Sequence, residues 1–477
     1  MIKGDENNPH NRRLLNKVLL ATPPYTLFKN DVRRAITPLG LISIAAVLEQ
    51  NGYEVAILDI STEGYYNLKE DGDFVTYGLS EEQIKKRISE FEPDVFGISC
   101  IFSTQSENAK RTLEIAKEVN PKIITLIGGS HPTYALEDVL NCRFLDYIIL
   151  GEGELPTLQL LESLNNNRDT SIINGVAYKK EGKIIVNSPQ FVENLDELPM
   201  PALHLLNMEK YFEINIPQNP YPKGKRVAQI LTSRGCSAKC IFCTTTNFWG
   251  NRYRGRSAQK VVQEIKYLKE RYNIDEIQFT DDNFTLNKKR AMEILEGIKD
   301  LNLHWCTPQG IAVWALDEEV IEKMRETGCY QLTFAIESGN QEVLKNIIQK
   351  PLDLRKVKPL VDKAKSLGIK IHAFCICGLP GETIKQMYET YNFAKDCDFD
   401  SASFFLATPL VGSKLLKVCQ EKGYLREGMT CNDQLYKIGN INTPDFKSEE
   451  VQILVEQFNR DYNKKDKREK RFEEWKY

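Results

Sequence analysis

The densest chemistry in this chain lies in Ser233-Arg234-Gly235-Cys236-Ser237-Ala238-Lys239-Cys240-Ile241-Phe242-Cys243. Three thiols spaced C-x3-C-x2-C follow a β-prone run, Val227–Thr232. Thiolates hold iron–sulfur clusters, and a four-iron cube ordinarily takes four of them. Here three are local, and the next cysteine, Cys306, is far along the chain. A cube on three thiolates keeps one iron open to a small chelating ligand. The amino and carboxylate groups of S-adenosylmethionine suit that vacancy, and one electron from the cluster can break the bound sulfonium's carbon–sulfur bond. The competing reading is structural zinc with a histidine as fourth ligand. His10, His131, His204, His304 and His372 all fall outside zinc-finger spacing of the triplet, which disfavours it. Three clustered thiols do not pair off as a disulfide set, and the C-x2-C-x2-C-x3-C run of ferredoxins is absent.

Further candidates sit where strands are expected to end. Asp281 and Asp282, in Phe279-Thr280-Asp281-Asp282-Asn283-Phe284, can neutralise an ammonium. They equally suit the N-cap of a helix. Glu337 and Ser338 lie in Ala335-Ile336-Glu337-Ser338-Gly339, and Gly378 and Pro380 in Gly378-Leu379-Pro380-Gly381-Glu382-Thr383. Glycine lets a main chain come close to a flat ring. Each motif alone also reads as an ordinary strand-to-helix turn, but three in order after successive strands do not.

The elements that must carry these residues are legible as two α/β halves. In the first, β-rich runs are expected at Lys17–Ala21, Glu54–Asp59, Val95–Ser99, Ile123–Ile127 and Tyr147–Leu150. Amphipathic helices are expected between them, at Leu39–Gln50, Glu81–Phe91 and Ser106–Val119. Alternating strands and helices predict a doubly wound, Rossmann-like sheet of roughly flavodoxin type, which binds ligands at the carboxyl ends of its strands. A hairpin is expected over Ile172–Asn187, then a proline-rich linker. The second half restarts with strands at Val227–Thr232, Glu276–Thr280, Gly310–Val313, Gln331–Ile336, Lys370–Ile376 and Ala402–Leu406. Six such units predict a partial (β/α)6 barrel of TIM type, since a full eight-unit barrel needs about 250 residues. The expected domains are 14–190, a linker at 191–224, a barrel at 225–420, and a helical extension at 421–477. The end of that extension, Asn463–Tyr477, is dense in Lys, Arg and Glu and reads as a solvated helix or frayed tail.

Composition is that of a globular protein: 42% hydrophobic and 27% charged residues. The net charge of −3 argues against a dedicated nucleic-acid binder. Met1 to Arg13 is polar and lacks the apolar core of a signal peptide, and no run approaches the ~20 apolar residues of a membrane span. These features predict a cytoplasmic protein with no membrane span.

The triplet, with the aromatic Phe242 before its third cysteine, resembles the signature of radical S-adenosylmethionine enzymes over roughly residues 227–415. The resemblance implies that Cys236, Cys240 and Cys243 hold a [4Fe-4S] cluster. It implies that Asp281 or Asp282 meets the amino group of S-adenosylmethionine, where much of the family has Gly-Gly-Glu. Glu337 and Ser338 would line its ribose or methionine, and the Gly378–Pro380 backbone its adenine. Thr408-Pro409-Leu410-Val411-Gly412-Ser413 also matches, without an assigned role. In the first half, Pro23-Pro24, Thr37-Pro38-Leu39-Gly40-Leu41, Gly128-Gly129-Ser130-His131-Pro132-Thr133 and Gly151-Glu152-Gly153-Glu154 resemble the cobalamin-binding domains that precede some of these enzymes. That implies a cobalamin near Gly128, Gly129, His131, Gly151 and Glu152, with small residues at Ser99, Ser103 and Thr104 leaving room for it. Asp-x-His-x-x-Gly, whose histidine ligates cobalt, is absent; His131 is either a ligand or a residue that orders its loop. Only Cys100 and Cys142 precede the linker, too few for the second cluster of methylthio-transferring relatives.

The implied reaction is cleavage of S-adenosylmethionine to a 5′-deoxyadenosyl radical, hydrogen abstraction from an unactivated carbon, and methyl transfer from cobalamin. The substrate would be a small molecule, lipid or peptide, and a flavodoxin or ferredoxin would supply electrons. Cyclisation, ring rearrangement or oxidation is the alternative outcome, and a non-catalytic iron–sulfur or cobalamin carrier is the alternative of another class. No side chain is assigned as substrate acid or base; Tyr330, His372 and Cys375 read as core.

Overall fold

Apolar runs bounded by turn residues become the central strands of two sheets. The computed structural model describes residues 14–219, 221–430 and 433–464. The front sheet has seven strands: β1 (Lys17–Thr22), β2 (Glu54–Asp59), β3 (Val95–Ser99), β4 (Ile124–Gly128), β5 (Tyr147–Ile149), β6 (Val176–Lys180) and β7 (Lys183–Val186). Their order is β7-β6-β5-β4-β3-β1-β2. The pairs from β2 to β5 are parallel, and β6 and β7 add antiparallel at one edge. Strand order reverses between β1 and β3, the point where sheets of this kind bind their ligand. The three expected helices occupy the residues predicted for them. Glu181 and Gly182, both at positive φ, make the expected hairpin turn between β6 and β7.

The second sheet has six parallel strands in sequence order: β8 (Val227–Ile230), β9 (Glu276–Phe279), β10 (His304–Ile311), β11 (Cys329–Glu337), β12 (Lys370–Cys377) and β13 (Ser401–Leu406). This is the expected open (β/α)6 barrel. The third strand was expected at Gly310–Val313 and instead begins at His304. Its polar residues and Pro308 disguise it, and the proline is tolerated because the β10–β11 register shifts between Thr307 and Ile311. The open edge at β13 is covered by the helix Ser448–Tyr462. Asn459 bonds both the N–H (3.0 Å) and the carbonyl (2.7 Å) of Phe404, and Asn463 does the same for Ala402. Two side-chain amides thus stand in for a missing strand.

Two features depart from expectation. Residues 191–224 are not a free tether: a helix at Met208–Ile214 is buried, and Ala202, Leu203, Met208, Tyr211 and Phe212 join residues of both halves in one hydrophobic core. Two small sheets were not foreseen. Tyr25–Phe28, Leu68–Asp71 and Phe74–Tyr77 form one, and Ser233–Arg234 with Arg254–Gly255 the other. The charged tail from residue 465 onward lies outside the described residues, as does Met1–Arg13. Among the described residues no helix is long and apolar enough to cross a membrane.

Candidate active site

The cysteine loop leaves β8 through the short strand Ser233–Arg234. Gly235 turns the chain out of that strand at φ +85, where a Cβ would run into the Arg252 carbonyl. Cys236, Cys240 and Cys243 are all free thiols, partly buried and close enough to act on one another electrostatically. Ile241 N–H donates to Ile348 O (3.0 Å) and Leu415 N–H to Ile241 O (2.9 Å), tying the loop to turns beyond β11 and β13. Phe242 packs on the core beside it. Burial pushes the Cys240 thiol up to about 12, and Lys350 works against that. Among the described residues no three His, Cys, Asp or Glu side chains close on a point as ligands of one ion would. A four-iron cube asks instead for one thiolate per iron.

The two aspartates after β9 part company. Asp281 is buried and turned back to the approach of the loop. Its oxygens accept from Thr232 N–H (3.1 Å), Thr232 Oγ1 (2.7 Å) and the Ser233 hydroxyl. It therefore holds the strand that launches the cysteines. Asp282 reaches the loop itself, accepting from Gly235 N–H (3.3 Å) and Thr245 Oγ1 (3.1 Å), and burial pushes it up to about 6. Beside it, both polar atoms of the buried Asn283 amide lack a partner. A buried polar group without a partner is costly, and a polar ligand would supply one.

Glu337 ends β11 at φ +67, rare for a residue with a Cβ, next to a register shift in the β11–β12 pairing. Its Oε1 accepts from Lys350 Nζ at 3.0 Å, and both side chains are buried. Burial disfavours the Lys350 charge, but Glu337 and Cys240 outweigh it and hold the ammonium above its ordinary value. The same ammonium lies 5.1 Å over the Trp314 ring. Ser338 does not join this group. Its hydroxyl meets Thr390 Oγ1 (3.1 Å), accepts from Asn340 N–H (3.1 Å), and so closes the turn. Gly378 and Pro380 form a buried turn under Val451 and Phe446. Glu382 fixes it by accepting from Gly378 N–H (2.8 Å) and Leu379 N–H (3.1 Å), and burial pushes that carboxyl up to about 7.

In the front domain two candidate residues are already engaged by protein partners. His131 is no free ligand: its Nδ1 bonds Ser103 Oγ (3.0 Å), its Nε2 bonds Asp138 Oδ2 (2.9 Å), and the residue is only 2% exposed. It orders the loop, and Ser103 is held by it. Glu152 is likewise engaged, by arginines of the barrel half. Its Oε2 accepts from Arg234 Nη1 (2.9 Å) and Val192 N–H (3.0 Å), and its Oε1 from Arg254 Nη2. Glu154 accepts from the same Arg234 (2.5 Å) and from Ser43 Oγ (2.6 Å). Burial pushes the Glu154 carboxyl up, yet the Arg234 guanidinium holds it below its ordinary value. Gly128 and Gly129 form a tight turn after β4, because at φ +109 a Cβ on Gly129 would lie 2.6 Å from the Cys100 carbonyl oxygen. Gly151, at φ +69, is pinned by Pro189 and by Thr133 Oγ1, which accepts its N–H at 2.9 Å. At the switch point, Ile101 and Phe102 follow β3 and are 57% and 51% exposed, unusual for such large apolar side chains.

Four participants were missed in the sequence: Lys350, Asn283, Arg234 and Tyr134. The first three lie within or shortly after quoted motifs, so proximity could have flagged them. Tyr134 directly follows the quoted Gly128–Thr133 motif, but its partners lie in the other half of the chain.

Comparison with known proteins agrees with this geometry. Residues 230–394 match the radical SAM superfamily and residues 26–161 the B12 binding domain. The chain is 45% identical to the cytidylyl-2-hydroxyethylphosphonate methyltransferase of Streptomyces wedmorensis, covering 95% of this chain and 91% of that protein. It is 34% identical to an uncharacterized methyltransferase of Pyrococcus horikoshii, over 84% and 82%. The fold is shared with the cobalamin-dependent S-adenosylmethionine radical enzyme OxsB (TM-score 0.73, 16% identity, 94% of this chain and 67% of that one). It is also shared with the radical S-adenosylmethionine methyltransferase TsrM of Kitasatospora setae (TM-score 0.69, 20% identity, 86% and 77%). The chain belongs to the cobalamin-binding radical S-adenosylmethionine family, whose cofactors are a [4Fe-4S] cluster, S-adenosylmethionine and cobalamin, and within it to the methyltransferases.

Proposed function

We propose that this enzyme methylates a carbon of a small phosphonate, with Cys236, Cys240 and Cys243 as the cluster ligands. The observation that carries the substrate class is the 45% identity to a phosphonate methyltransferase along nearly the whole chain. When bound, the cluster supplies the electron that breaks S-adenosylmethionine, and cobalamin carries the methyl group.

The chain's own residues divide the remaining tasks. The thiols fit the cluster: three free donors on one loop, which backbone bonds at Ile241 tie to two separate elements. Asp282, which bonds the loop, and Asn283 beside it, with its amide unpartnered, would bind the amino group of S-adenosylmethionine. Lys350, fixed by Glu337 beside Cys236 and Cys240, would meet its carboxylate as a charge-assisted bond. The Gly378–Pro380 turn offers main chain to the adenine. Asp281 keeps the launching strand in place. In front, Gly128, Gly129 and the apolar Ile101 and Phe102 offer the corrin a surface at the switch point, with His131 fixing the loop rather than the cobalt. A flavodoxin or ferredoxin would deliver the electrons. The domain limits we propose remain 14–190 and 225–420, with 191–224 as a packed connector.

The test is anaerobic turnover of reconstituted protein with cytidylyl-2-hydroxyethylphosphonate, S-adenosylmethionine and a low-potential reductant. The expected product has gained the mass of one CH2. An unmethylated phosphonate, with S-adenosylmethionine still consumed, would reject the substrate class.

A further inference from the structure

We propose that Tyr134 is a positioning residue that couples the cobalamin loop to the cluster loop, so that filling the first steadies the second. This rests on the assignment of both loops made above.

Tyr134 closes the short helix Ser130–Tyr134, which begins directly after Gly128-Gly129. That segment has little freedom against the front sheet. Gly129 lies on the Cys100 backbone, His131 is bonded through both ring nitrogens, and Thr133 Oγ1 donates to Gly129 O (2.7 Å) and accepts from Gly151 N–H (2.9 Å). A shift of the loop therefore moves Tyr134 with it.

At its far end the side chain leaves its own domain. The phenol donates to Thr244 O at 2.7 Å, one residue beyond Cys243. The ring meets Phe248 edge-on at 6.4 Å and fits so closely against Gly412 that no Cβ could stand there. Asn247 Nδ2, two residues before Trp249, donates to Gly412 O at 2.5 Å and locks this contact from the barrel side. One hydroxyl thus spans from the helix after β4 to the residue that follows the third cysteine of the triplet. Removing it leaves the ring, its packing and every thiol in place. A single neutral hydrogen bond limits the coupling to about tenfold.

The test uses the full chain with reconstituted cluster, wild type and Tyr134→Phe, without oxygen. Iron release to a ferrous chelator is timed with and without hydroxocobalamin, and cobalamin affinity is read by absorbance. We expect cobalamin to slow iron release in the wild type by about two- to tenfold, and not in Tyr134→Phe, which should bind cobalamin as the wild type does. The reduced-cluster EPR line shape should respond to cobalamin only in the wild type. Equal protection in both proteins, or protection in neither, would overturn the coupling. So would a Tyr134→Phe protein that has lost cobalamin affinity, because the hydroxyl would then belong to the corrin site. A wild type that assembles no cluster at all would instead overturn the assignment of the cysteines.

Discussion

Replacing Glu152 by Ala strips the one carboxylate shared by Arg234 and Arg254. Both guanidiniums are buried, 7% exposed each, and Glu152 is 2% exposed. Removing one partner of a buried ion pair costs about 3–5 kcal/mol, because the remaining charge is stranded away from water. Arg234 keeps Glu154, whereas Arg254 retains only the carbonyls of Val192 and Trp249, so the lower half of that range applies to the first and the upper to the second. Both arginines flank the cysteine loop, one at its start and one in the strand that pairs with it. The loss should therefore appear there as local opening rather than as uniform destabilisation. At about 1.4 kcal/mol per tenfold, amide hydrogen exchange over residues 233–255 should quicken by roughly 10²- to 4 × 10³-fold. Strands β11 and β12 should exchange as before. Peptide-resolved hydrogen–deuterium exchange reads both. Exchange at the loop within about threefold of wild type would show that the front domain does not brace it.

How much of this was legible in the sequence depended on whether a feature was local. The triplet, the strands β2, β3 and β12, and three helices of the front domain announce themselves by spacing and periodicity alone. The third barrel strand did not, because Pro308 and a register shift break its pattern. Glu152 was legible as a motif residue but not as a clamp, since its partners are 82 and 102 residues away. His131 stood in a loop of the right kind, yet only the positions of Ser103 and Asp138 reveal that both its nitrogens are taken. The prolines of 191–224 suggested a tether because backbone punctuation is visible in sequence, whereas the burial of Met208 and Tyr211 beneath both sheets is not.

Other outcomes are expected. Lys350→Met should still assemble the cluster, but it should bind S-adenosylmethionine about 10- to 100-fold more weakly, one charged hydrogen bond having been lost; unchanged affinity by equilibrium dialysis would remove Lys350 from the site. His131→Gln should leave the cob(II)alamin EPR spectrum as in wild type, because neither ring nitrogen is free to ligate cobalt, and loss of a nitrogen coupling would restore the ligand role. Glu382→Gln should stabilise the protein at pH 8 and not at pH 4. The folded carboxyl titrates at about 7 against an ordinary 4.5, so its burial costs nothing while protonated and progressively more as pH rises through that window, to about 3 kcal/mol above it. Thermal melts of both proteins across that range should diverge with rising pH, and parallel curves would refute the assignment. Cys306→Ala, a buried cysteine outside the loop, should retain full iron, in contrast to Cys236→Ala.

The most direct measurement is EPR of the anaerobically reduced protein before and after adding S-adenosylmethionine. A [4Fe-4S] signal that changes shape on addition, and that is absent in Cys236→Ala, Cys240→Ala and Cys243→Ala, is the predicted result. A signal indifferent to S-adenosylmethionine, or one that survives loss of any of these thiols, would contradict an open iron held on three cysteines.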